Sequence, residues 1–166
     1  YKAFFGFLIM ALDNLVVGRL ELILRHADMR DIGFVYELMR NHFEDLFNQT
    51  SEKWSRAKFR YGYNPDRITI IEHDMPIGFF DLEVSVPVVR WHSLHISRDY
   101  QGKGIGTQVT AYVEERVKEH NATAIIGKVF KTNQRSLHLL KKFDYAIEKE
   151  LSEEDSFLIR KDLVAN

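Results

Sequence analysis

"SRDYQGKGIGTQVTAYVEERVKEH", residues 97–120, holds three of the chain's nine glycines, Gly102, Gly104 and Gly106, directly before a segment with helical periodicity. Ile105, Val109, Tyr112, Val113 and Val117 share one stripe of that helix. Glycine allows a strand to turn sharply into a helix. It also bares backbone N–H groups, and a helix start adds unpaired N–H donors and the positive end of a dipole. The N–H groups of residues 102–107 are therefore candidates to surround a pyrophosphate. Thr107 adds a hydroxyl, and Lys103 and Arg98 add positive charge. A Walker loop is excluded, because neither Gly-Lys pair, Gly102-Lys103 or Gly127-Lys128, is followed by Ser or Thr. The dinucleotide fingerprint is excluded too, because its third glycine would fall on Thr107 or Val109. The turn alone fits plain geometry as well as phosphate binding.

Outward from this turn the pattern is mixed α/β. "LELILRH" (20–26) reads as a strand. "DMRDIGFVYELMRNHFEDLF" (28–47) has helical spacing, with Ile32, Val35, Leu38 and Met39 on one face and Asp28 or Asp31 as a candidate N-cap. "TSEKWSRAKFRYGY" (50–63) reads as a second helix, capped by Thr50 or Ser51, with Trp54 and Phe59 inside a surface lid. "DRITIIEHDMPIGFFDLEVS" (66–85) has the form of a hairpin around "HDMP". "VVRWHSLHIS" (88–97) is a strand rich in β-branched and aromatic residues. After the glycine turn and its helix come a buried strand "ATAIIGKVF", a short helix "NQRSLHLLKKF" capped by Asn133, and two strands around the acidic turn "SEED". The order is β-α-α-β-β-β-α-β-α-β-β. No repeat or low-complexity tract interrupts it.

Composition sets the class. A chain of 166 residues with 45% apolar and 28% charged residues is an ordinary globular domain that buries roughly two-thirds of its unfolded surface. The net charge of −1 argues against a nucleic-acid partner. The absence of cysteine removes disulfides, thiolate catalysis and Cys-ligated metals, and no His pattern suggests a metal site. The opening run "YKAFFGFLIMAL" stops at Asp13, short of the ~20 residues that span a bilayer. Residues 1–19 read as an apolar N-terminal extension packed on the domain or on a second copy, which would make a homodimer. Residues 20–166 read as the domain. The expected location is cytoplasmic, with no membrane partner.

The glycine turn and the segment thirty residues later, "KVFKTNQRSLHLLKKFDY", together resemble the GNAT N-acyltransferase superfamily. That family's acyl-CoA loop reads Q/R-x-x-G-x-G/A, and Gln101, Gly104 and Gly106 fill it. Its following segment reads N-x-x-A-x-x-L-Y-x-K-x-G-F. Asn133, Leu139 and Lys142 match, Ser136 replaces the small Ala, and Tyr145 replaces the final aromatic. The resemblance covers roughly residues 20–163.

It implies a mixed, mostly antiparallel sheet, splayed in a V and flanked by helices, with acetyl-CoA in the gap as co-substrate and no metal. The strand stretch Leu94, His95 and Ile96 would lie along the pantetheine arm. Leu94 and Ile96 would bond it through their main chain, and His95 would point to the opposite side. The amides of Gln101, Gly102, Lys103, Gly104, Ile105, Gly106 and Thr107 would hold the pyrophosphate. Asn133 and Ser136 would border the pantetheine. Lys142, with Lys131, Arg135 and Lys141, would be a candidate for the adenosine phosphate. The implied reaction moves an acetyl group to a primary amine of a small molecule or protein, with the Ile96 N–H as oxyanion donor. The alternative is a non-catalytic acyl-CoA-binding module.

The motif departs from the family at the chemistry. The family's acid tyrosine is Leu140, the glycine before the last aromatic is Asp144, and the usual glutamate base is missing. His92 is the first candidate base, because imidazole titrates near neutrality. His95 is a weaker candidate, and Glu83 on the neighbouring strand is a carboxylate alternative. Tyr145 or Tyr100 would stand in for the acid. The acceptor groove expected from the fold holds Glu37, Glu44, Asp45 and Glu52 beside Phe43, Phe47, Trp54, Tyr61 and Tyr63, a pattern suited to a cationic amine.

Overall fold

The computed structural model describes residues 13–47 and 56–163, apart from the side chains of residues 44–47 and 58. Eight strands form one sheet in the order β1-β2-β3-β4-β5-β6-β8-β7. They are β1 Asp13–Val17, β2 Leu20–His26, β3 Ile68–His73, β4 Met75–Ser85, β5 Val88–Ile96, β6 Ala124–Phe130, β7 Ala146–Leu151 and β8 Ser156–Asp162. Four helices flank the sheet: α1 Ile32–Phe47, α2 Arg56–Gly62, α3 Ile105–Glu119 and α4 Gln134–Lys142. Among the described residues no helix is long and apolar enough to cross a membrane.

The central strand β4 explains the layering. Ile77, Gly78, Phe79 and Phe80 are all buried, so this strand is covered on both faces. Phe80 and Ile77 point into the larger core with Val109, Val113 and Val117 of α3. Phe79 points the other way, into a smaller core with Val35 and Leu38 of α1 and with Ile68 and Ile70 of β3. Truncating Phe79 or Phe80 to Ala should cost about 3–5 kcal/mol. Gly78 is required between them: a Cβ there would stand 2.6 Å from the His95 carbonyl oxygen on β5.

Most expected elements are present, with three differences. Asp13–Val17, inside the segment read as an extension, is a strand of the same sheet and pairs antiparallel with β2. The turn expected across "HDMP" is a single residue, Asp74 at φ 62°, and Met75 and Pro76 already belong to β4. Asp31 does precede α1, yet its carboxylate is engaged by the Arg25 guanidinium at 2.8 Å and by the Asp28 N–H. Thr50, Ser51 and Trp54 lie outside the described residues, as does the whole of the apolar opening run.

Every strand pair is antiparallel except β5 and β6, which α3 connects. Their register runs only from Val88–Ala124 to Trp91–Gly127. Beyond that point β5 continues to Ile96 without β6, while β6 continues to Phe130 along β8. The sheet therefore opens between these two strands at the end nearest the glycine turn.

Candidate acyl-CoA and acetyl-transfer site

The gap exposes main chain in a defined direction. The Ser97 N–H donates to the Ile77 carbonyl at 2.8 Å, which turns Ser97 and His95 toward β4. By strand alternation Leu94 and Ile96 turn their N–H and C=O groups away from β4, into the gap. An extended ligand can pair there as an added strand would. His95 does not belong to this set, because its carbonyl faces Gly78. Its ring is buried among Phe79, Phe43 and His42, with ring centroids 4.9, 5.6 and 5.0 Å away. Burial beside His42 pushes its pKa down to about 3, so it is a neutral core side chain and no base at neutral pH.

The glycine turn closes one end of the gap. Gly102 has φ 74° and Gly104 has φ 86°, both left-handed, where a Cβ is strained. Gly104 is the N-cap of α3, and its carbonyl takes the first helical N–H from Gln108 at 3.1 Å. The N–H groups of Ile105, Gly106 and Thr107 are thus the helix's unpaired donors. Gly106 needs no special φ. A Cβ there would meet Leu139 of α4 at 3.5 Å, Ile96 at 3.7 Å and Leu94 at 3.9 Å. These contacts show that the first turn of α3, α4 and the free part of β5 converge on one place.

Gln101 departs from its expected role. Its own N–H is already given to the Arg98 carbonyl at 3.2 Å. Its side-chain amide donates to the Ile96 carbonyl at 2.7 Å and meets His42 Nε2 at 3.0 Å, and its oxygen accepts from Arg135. The Ile96 carbonyl is therefore taken, which leaves the Ile96 N–H and both Leu94 groups toward the gap. The Gln101 amide donates, so His42 Nε2 accepts and His42 Nδ1 carries the proton. That proton points at the Leu38 carbonyl, 2.9 Å away, with His95 Nδ1 at 3.2 Å. His42 was not singled out from sequence, where it reads as one more polar position on an amphipathic helix.

The remaining coenzyme candidates divide. The Asn133 side chain accepts the Ser136 N–H at 3.1 Å and caps α4, as its position suggested. Lys103 is exposed and lies over the Tyr100 ring. Lys141 and Lys142 are exposed. Lys131 is paired with Glu150 at 2.5 Å.

The two base candidates come together. Asp81 of β4 pairs with Ser93 and Leu82 pairs with Trp91, so His92 is an extra, bulged residue of β5. It is the first residue past the last β5–β6 pair. Glu83 Oε2 accepts from its Nε2 at 2.9 Å, and that bond holds the Glu83 carboxyl below its usual range. A carboxylate only accepts, so Nε2 carries the proton and Nδ1 is left as the basic end. Tyr145 is elsewhere. It is buried in the larger core, and burial beside Glu114 pushes its phenol well above the usual range, which gives it no access to a leaving thiolate. Leu140 packs against the same core.

Of the acceptor-groove residues, Glu37 pairs with Arg40, Tyr61 is exposed, and the Tyr63 hydroxyl donates to the Asp28 carbonyl. The side chains of Glu44, Asp45 and Phe47 lie outside the described residues, as do Glu52 and Trp54. Among the described residues no cluster of His, Asp and Glu could hold a metal ion.

Residues 32–145, more than half of the chain and the whole of the site above, match the model of the acetyltransferase (GNAT) family. The chain belongs to the GNAT acetyltransferase family. Solved structures share the fold. The PaiA N-acetyltransferase of Thermoplasma acidophilum, in complex with coenzyme A, superimposes with a TM-score of 0.71 at 16% identity over 85% of this chain and 98% of that one. The ribosomal-protein-S18-alanine N-acetyltransferase of Escherichia coli gives 0.67 at 12% identity, covering 86% and 94%. A structure from Salmonella typhimurium that holds its cofactor acetyl-CoA gives 0.63 at 15% identity, covering 87% and 95%. No curated protein is similar enough in sequence to match. The open β5–β6 edge and the α3 turn are thus features of a GNAT protein, and the fold expected from "QGKGIG" is the fold observed.

Proposed function

We propose that this GNAT protein transfers the acetyl group of acetyl-CoA to a primary amine. One observation carries the reading. The strand edge at Leu94 and Ile96 adjoins the first turn of α3, with its unpaired N–H groups of Ile105, Gly106 and Thr107, beside the gap between β5 and β6. An extended arm that ends in a pyrophosphate suits that opening at both ends. Acetyl-CoA supplies a thioester whose carbonyl carbon the amine attacks, with the C–S bond breaking to release the thiol.

The chain's own groups handle the protons. A lysine-like amine with a pKa near 10.4 is only about four parts in ten thousand neutral at pH 7. His92 Nδ1 takes the proton that the nitrogen must lose, directly or through a water. Glu83, bonded to Nε2, holds the ring orientation and stabilises the imidazolium that forms. The Ile96 N–H, turned into the gap, donates to the oxyanion. The thiolate takes its proton from solvent, because Leu140 stands where the family's acid tyrosine would be.

An acceptor screen that follows free CoA release tests the reading. Turnover on an amine class, lost in Gly104→Glu while circular dichroism stays native, supports it. Tight CoA binding with no turnover on any amine supports the second reading, a non-catalytic acyl-CoA-binding module, which the missing tyrosine favours.

A further inference from the structure

A cavity of about 260 Å³ lies on the α1/α2 face of the sheet. Val35 and Met39 of α1, Phe59 of α2, and Ile68 and Phe79 of the sheet form most of its wall, with Tyr63 beside them. It adjoins the strand that bears the transfer site. Phe79 pairs with His95 of β5 and stacks on its ring, while Asp81, on the same wall, pairs with Ser93 beside the bulge. Adjacent strands lie about 4.8 Å apart, so the β4 wall of the cavity is one strand spacing from β5.

Its size and charge select an occupant. At about 260 Å³ it falls just below the range of roughly 300–1,000 Å³ that encloses whole ligands, which fits one side chain rather than a whole substrate. Most of its wall is apolar. At its edge Arg67 donates to one Asp81 oxygen at 3.0 Å, while the other Asp81 oxygen and Arg67 Nε are buried without a hydrogen-bond partner among the described residues. Glu83, two residues further along β4, stays ionised and half exposed next to His92. A cationic nitrogen is drawn to the Glu83–His92 edge, and an apolar tail gains by leaving water for the cavity.

We infer that the cavity holds the apolar side chain of the acceptor, and that the protein selects primary amines bearing a non-polar group of leucine or phenylalanine size. The inference rests on the acetyl-transfer reading and adds the acceptor's chemistry to it. Free amino-acid derivatives and peptide N-termini share that chemistry, so both belong in the test.

The experiment compares kcat/KM for leucinamide, phenylalaninamide and glycinamide, and for tetrapeptides that begin with leucine or glycine. The expected ratio of apolar acceptor to glycine acceptor is tenfold or more, in whichever source is used. Met39→Trp, which fills the cavity from α1, should cut that ratio at least tenfold. Met39→Ala, which enlarges it, should move the preference from leucinamide toward phenylalaninamide. A wild-type ratio near one, or a ratio that neither natively folded variant moves, overturns the inference and leaves acetyl transfer standing. If no amine is acetylated, the acetyl-transfer reading fails. Calorimetry with the same amides, with CoA present, then decides the cavity. Leucinamide binding tighter than glycinamide binding, and lost in Met39→Trp, keeps the inference. Equal binding of the two overturns it.

Discussion

Glu83 of β4 and His92 of β5 meet through a 2.9 Å hydrogen bond at the point where β6 parts from β5. The pair exists because β5 carries one residue more than β4 can match. Without the bulge, His92 would take a regular ladder position between Trp91 and Ser93.

If His92 takes the proton, His92→Ala should lower kcat/KM by a factor of ten to a thousand and leave CoA affinity within twofold. Glu83→Gln, which keeps a hydrogen bond and removes the charge, should cost less than His92→Ala. Steady-state kinetics together with calorimetric CoA titrations check both. A His92→Ala variant with native rates would remove the dyad from the mechanism.

In the proposed function His42 would position the coenzyme loop, because it meets the Gln101 amide that occupies the Ile96 carbonyl. His42→Ala should raise the KM for acetyl-CoA several-fold with a smaller change in kcat. His42→Gln, which can still accept from Gln101, should recover most of the loss. Equal kinetics in all three forms would show the contact to be incidental.

The glycines of the turn should separate by conformation. Gly104→Ala has room, since its nearest neighbour would be Val17 at 3.7 Å, but it forces a Cβ residue to φ 86°. It should lose about 1–2 kcal/mol, or roughly 2–8 °C in Tm. Gly106→Ala sits within α3 at ordinary contact distances and should hold or raise Tm, gaining up to about 1 kcal/mol of helix propensity. Gly78→Ala, which meets the fixed His95 carbonyl, should be the worst of the three. Thermal melts of the three variants check the order.

Burial holds both His42 and His95 below the ordinary histidine pKa, His95 at about 3. The unfolded chain therefore binds protons at these rings before the folded one does. Stability is fully present above the unfolded value near 6.5 and falls as pH drops below it, for His95 by up to about 1.4 kcal/mol per pH unit toward pH 3. His95→Phe, which keeps the stack on Phe79, should flatten the slope between pH 6 and pH 4. Urea midpoints measured at several pH values would show it, and an unchanged slope would contradict it.

Local signals made the architecture readable in advance. The apolar stripe of α3, the Asn133 cap and the alternation of β2 each specify their element within a few residues, and the linked loop and α4 motifs carry the family resemblance that implied the gap. The rest depends on pairings between distant residues. β1 was hidden because its five residues begin with Asp13 and Asn14, which end the apolar run, and only their register with β2 makes them a strand. The bulge at His92 is a mismatch between two strands, so neither strand shows it alone. His42 finds Gln101 across 59 residues, a meeting that depends on how α1 lies on β5. Tyr145 matched the motif in sequence, while its place in the core follows from packing against α3.

The most direct test is a calorimetric titration of CoA into wild-type protein and into Gly104→Glu. The account predicts one saturable site per chain in the wild type and none in the variant, with both folded. No heat from the folded wild type, or equal binding by the variant, would contradict it.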